Sequence, residues 1–99
     1  MGDELGVAHR FGENLRRVRR QADLSQEELG FRASLHRTEV GLLERGVRVP
    51  RIDTLMKLIA ALGIRIDCDL LDGIAWQRGD VTTTPGAFTF PPPGSSDDA

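Results

Sequence analysis

Arg37, Thr38, Glu39 and Leu42 are the residues of this 99-residue chain best placed to do chemistry on another molecule. Leu35, Val40 and Leu43, at spacings of five and three, form one apolar stripe, and these four fall off it. An arginine held outward fits both acceptors of a guanine in the major groove. Thr38 and Leu42 offer apolar contact to a thymine methyl, and Glu39 can accept from cytosine N4. Each also has a plainer reading. Arg37 could meet phosphate or water, Thr38 could cap a turn, Leu42 could pack half-exposed, and Glu39 could be tied up by Arg37. The base-reading alternative requires that the helix carrying them be held rigidly outward.

The flanking sequence supplies such a support. In SQEELGFRASLHRTEVGLLERG (25–46), Ser25 is a good N-cap and Glu28 completes a capping box. The spacing predicts a helix over about Gln26 to Ala33, a turn near Ala33 and Ser34, and a second helix over about Arg37 to Arg45. Gly30 is small where the second helix must pass close, and Gly46 suits a left-handed C-cap. Upstream, Phe11, Leu15, Val18 and Ala22 recur at helical spacing over about Arg10 to Ala22, with Arg16, Arg17 and Arg20 pointing elsewhere and Asp23 as terminator. Downstream, a loop closed by Pro50 leads to a helix over about Ile52 to Leu62. Its inner face is Ile52, Leu55, Leu58, Ile59 and Leu62, and Gly63 stops it. A short fifth helix is expected near Asp67 to Leu71, where Asp side chains favour the positive helix start. From Ile74 the period changes. The run IAWQRGDVTTTPGAFTF reads as two or three short strands, and PPPGSSDDA (91–99) has the composition of a disordered tail.

Net charge is −2, yet the charge is uneven. Residues 10–51 carry ten Arg and six acids, net +4, whereas residues 52–99 carry three cations and seven Asp, net −4. A basic helical half suits an anionic partner, and the whole-chain average hides it. One cysteine, Cys68, excludes an internal disulfide and fits a reducing cytoplasm. No apolar run approaches the ~20 residues of a membrane span, and the N-terminus has no apolar signal region. Asp67, Asp69 and Asp72 lack the glycine-bearing loop of a calcium site, and two His with one Cys make no zinc set. No phosphate loop or nucleophile arrangement is present, so neither an enzyme nor a cofactor is expected.

The segments LRRVRR, LSQEEL, HRTEVGLLERG, VP and LMKLIAALGI, in this order over residues 10–72, resemble the lambda-repressor-like (Xre/Cro-type) helix-turn-helix regulators. The resemblance implies an all-α, five-helix DNA-binding domain over 10–73, here followed by a short β-like extension (74–90) and a tail (91–99). By position it implies base contacts from Arg37, Thr38, Glu39 and Leu42. It implies backbone contacts from Gln26, His36, Arg45, Arg48 and Arg51, and a structural ion pair between Arg19 and Glu44. Three positions depart from the family pattern. Ser34 stands at a turn position that is often Gly, His36 replaces the usual Ser or Thr cap, and Gly41 lies inside the recognition helix at a cost of about 1 kcal/mol.

The resemblance implies a cytoplasmic, sequence-specific regulator of double-stranded DNA, acting as a homodimeric repressor on a palindromic operator, since one module reads few bases. A lone hairpin is marginal unless it packs on something, so Ile74, Trp76, Val81, Phe88 and Phe90 are expected at the dimer interface, the alternative being packing back on their own subunit's helices. The competing class is a protein-interaction module, an antitoxin or coregulator that uses the C-terminal segment to bind a partner protein.

Overall fold

A computed structural model describes residues 2–65, 69–80 and 82–92. Four α-helices precede a two-stranded antiparallel hairpin: α1 (Gly2–Gln21), α2 (Gln26–Ala33), α3 (Arg37–Glu44), α4 (Ile52–Leu62), β1 (Ala75–Gln77) and β2 (Ala87–Thr89). The expected fifth helix is not among them. Asp67 and Cys68, on which that expectation falls, lie outside the described residues, and the Asp69 N–H donates to the Arg65 carbonyl. Val81 and residues 93–99 also lie outside. No helix among the described residues is long and apolar enough to cross a membrane.

Phe11, Leu15 and Val18 of α1, Leu29 and Ala33 of α2, Val40 and Leu43 of α3, Leu58 of α4, and the flanking Leu24 and Leu70 form one buried cluster. Two expected core positions are instead on the surface. Ala22 is exposed because α1 has already ended, with Asp23 in the left-handed region (φ 61°) and the Leu24 N–H turned back to the Arg19 carbonyl. Ile52 is 73% exposed because the inner face of α4 centres on Thr54 and Leu58. At the other end, α1 starts eight residues before the predicted Arg10. Ala8 is buried there, and β2 packs against this part of the molecule through Phe90, whose ring lies against Gly6 and beneath the Arg10 guanidinium (6.0 Å).

Asn14, which carried no weight in the sequence, is a buried clasp. Its amide nitrogen donates to the carbonyls of Leu70 (2.9 Å) and Asp72 (2.8 Å), and its oxygen accepts from Arg17 (3.0 Å). Arg17 also reaches the Asp69 carbonyl, and Arg10 reaches those of Gly73 and Pro91. One face of α1 therefore holds the C-terminal segment in place. In the hairpin, Trp76 pairs with Phe88 in an edge-to-face contact at 5.0 Å. The Asp80 carboxylate organises the connecting loop. It accepts from the Thr83 hydroxyl and the N–H groups of Thr82, Thr83 and Thr84, and the Thr83 bond leads the causes that hold its pKa well below the carboxylate range.

Candidate nucleic-acid interface

The outward helix is set by local geometry on both sides of its turn. Ser25 accepts from the Glu28 N–H (3.0 Å) and Glu28 returns a bond to the Ser25 N–H (2.8 Å), so α2 begins with both halves of a capping box. Ser34 closes α2 in the left-handed region (φ 56°), the conformation for which Gly is the easier residue. Gly30 lies directly under the turn. A Cβ there would stand 2.5 Å from the Leu35 carbonyl oxygen, so the turn can be this tight only over a glycine. His36 then does the work of the missing Ser or Thr, its Nδ1 accepting from the Thr38 N–H at 3.0 Å.

On the far side of α3, α1 approaches to backbone contact. A Cβ on Gly12 would meet the carbonyls of Leu43 and Glu44 at 2.5 and 2.6 Å. Beside this crossing lies the ion pair. Arg19 donates through Nε to Glu44 Oε2 (2.5 Å) and through Nη2 to Oε1 (3.1 Å), and its Nη1 holds the Leu24 carbonyl. Glu44, 5% exposed, also accepts from Gln26 (3.0 Å) and Arg16 (3.4 Å). Burial pushes its carboxyl up, but the Arg19 and Gln26 hydrogen bonds, the Arg19 charge and the Arg16 bond outweigh that and hold its pKa below the usual value. The pair fixes α3 against α1 by charged, bidentate contacts.

With α3 so held, Arg37 and Thr38 are exposed, and Glu39 and Leu42 are half-buried on the same helix. Arg37 faces Glu27 across the turn at 4.0 Å. Glu39 is paired with Arg48 of the following loop, and Arg37, the alternative partner weighed from the sequence, is not the one it takes. Arg51 faces Asp53 at 3.4 Å. Gln26 and Arg45 come together over Gly41, whose missing Cβ would stand 3.3 Å from the Arg45 guanidinium and 3.6 Å from the Gln26 amide. The glycine inside α3 thus makes room for two polar side chains, a role that only the tertiary structure discloses. The interface predicted for the hairpin is divided. Ile74 packs on the chain's own core and Phe90 on its own α1, and both are half-buried. Trp76 remains 59% exposed, Phe88 is half-buried beneath it, and Val81 lies outside the described residues.

Comparison with known proteins agrees with this geometry. A family model described as Helix-turn-helix (HTH_3) matches residues 15–67. The control protein C.BamHI of Bacillus amyloliquefaciens is 41% identical over 63 residues, which are 63% of this chain and 76% of that protein. The crystal structure of the restriction-modification controller protein C.AhdI from Aeromonas hydrophila superposes with a TM-score of 0.57 at 41% identity, over 59% of this chain and 88% of that one. The clp gene regulator ClgR of Corynebacterium glutamicum shares the fold, with a TM-score of 0.59 at 23% identity over 62% of this chain and 79% of its own.

Proposed function

Because the chain belongs to the helix-turn-helix family of DNA-binding transcriptional regulators, we propose that it acts as a homodimeric controller that represses by occupying a palindromic operator. The observation that carries this is the row Arg37, Thr38, Glu39 and Leu42 on a short helix clamped from behind by Arg19 and Glu44. In this reading Arg37 and Thr38 read base edges, with Leu42 beside them against a thymine methyl. Glu39 enters base contact only by leaving Arg48, so its contribution is the weakest of the four. Gln26, His36, Arg45, Arg48 and Arg51 surround the row and position the backbone. The likeness to controller proteins supports assignment to that type of regulator, with promoter DNA as partner.

The dimer is proposed because an eight-residue recognition helix reads few bases, and two copies multiply the discrimination. With Ile74 and Phe90 engaged inside the subunit, the larger free apolar surface is on α4 and the loop before it: Ile52, Met56, Val47 and Val49. We therefore assign the main contact to the Ile52–Met56 stripe, with Trp76 as a secondary one. Selection of bound duplexes from a random pool tests the whole reading. The expected product is an inverted repeat whose half-sites lie about one helical turn, ~10–10.5 bp, or a multiple of it apart. Enrichment of a single asymmetric half-site would overturn the dimer, and no enrichment would overturn sequence-specific regulation.

A further inference from the structure

Most cations of the expected interface already have carboxylate partners within the subunit: Arg37 with Glu27, Arg48 with Glu39, and Arg51 with Asp53. Each must exchange a protein anion for a phosphate, so each gains less on binding than a free charge does. Among the described residues the side chains of Arg20, Arg32, Arg45 and Arg78 make no hydrogen bond or ion pair, and of these Arg20 and Arg45 line one groove with Arg16 between α1 and the end of α3. Lys57 is also unpaired, but it lines a different groove with Ser34 and Arg51.

The groove, of about 900 Å³, includes Arg45, whose guanidinium stands next to Gly41 and the Gln26 amide. From there it runs along α1 over Arg16 and Arg20, which are four residues apart and share a helix face. Four residues rise about 6 Å, which sets the spacing of the two guanidinium groups along α1. Two acids line the groove. Glu44 is buried and committed to Arg19, Gln26 and Arg16, and Glu13 faces His9 and Arg10. The uncommitted charges of the groove are therefore Arg20 and Arg45, and Arg16 joins them by exchanging Glu44 for phosphate.

We propose that the α1 face carrying Arg16 and Arg20, with Arg45 beside it, is a second phosphate track that holds the DNA backbone beside the base-reading helix. This rests on the DNA-binding reading above and extends it to residues outside the helix-turn-helix. Arg20 is the test residue because it is exposed and makes no contact whose loss would unfold the chain. Binding of the full-length protein to a mixed-sequence duplex is measured over a series of salt concentrations. Wild type is expected to show a steep log–log slope, and Arg20→Ala a slope shallower by about 0.9 per subunit. Arg20→Lys should restore the slope and Arg20→Glu should weaken binding further, with the selected operator sequence unchanged in all three. A slope and affinity unchanged in both Arg20→Ala and Arg20→Glu overturn the track while leaving the DNA reading intact. A flat titration of wild type overturns both. Inorganic phosphate alone, titrated against the protein by NMR, separates a free anion from a polymer. Saturation of the Arg20 signals at micromolar phosphate would make the groove a small-anion site and overturn the track.

Discussion

At the scale of single residues, the proposed interface separates side chains assigned to reading from side chains that hold. Arg37 is expected to read. Arg37→Ala should cost about 1–3 kcal/mol on the selected operator and relax preference at one base pair per half-site, measured by repeating the selection with the variant. Arg19 and Glu44 hold. Arg19→Ala leaves a buried carboxylate with only Gln26 and Arg16, and a loss of about 3–5 kcal/mol in denaturant unfolding is expected. The same pair sets a pH dependence. The Glu44 pKa is lower folded than its ordinary value of 4.5, so its contribution is fully present above that value. It is lost as pH falls through the lowered folded value. Melting of wild type and Glu44→Gln across pH 7 to 3 should therefore converge at the acid end. His36 completes this scale. Its cap on Thr38 predicts that His36→Ala lowers stability by about 1 kcal/mol, and His36→Asn restores most of it, in thermal melts.

At the scale of elements, α2 and α4 were legible to the residue, because Ser25, Glu28 and Gly63 are strong local punctuation and the apolar spacing lies between them. The start of α1 was not. Residues 2–9 carry a weak periodic signal of their own, and what covers them is Phe90, far along the chain. Arg19 and Glu44 were legible only through family resemblance, since nothing in their spacing announces a pair 25 residues apart. Asn14 and Gly12 were missed for the same reason, and Gly41 was legible only as a helix cost, as each matters through a neighbour that sequence distance conceals. Gly12 carries the prediction at this scale. Gly12→Val would drive a side chain into the Leu43 and Glu44 carbonyls, so α1 and α3 must separate. Loss of operator binding together with a lowered melting temperature is expected, whereas Gly63→Ala, with open space around it, should strain only its own left-handed backbone.

For the whole molecule, the proposed dimer makes the α4 stripe the place to test. The paired substitution Ile52→Asp with Met56→Asp should give a folded monomer by sedimentation and weaken operator binding far more than binding to a mixed-sequence duplex. A dimer that survives these changes and dissociates in Trp76→Ala would move the interface to the hairpin. The clasp on α1 has a further consequence, for the order of events as the chain is made. Asn14 waits for Leu70 and Asp72, and Arg10 waits for Pro91, 81 residues later. The helix-turn-helix therefore leaves the ribosome with one flank of its first helix uncovered, and that flank closes only when residues 70–91 arrive. The first turns of α1 and the hairpin, far apart in sequence, should accordingly behave as one cooperative unit that opens before the rest. Native-state hydrogen exchange would show it as matched, faster exchange in those two stretches, above a slower common rate for α2 and α3.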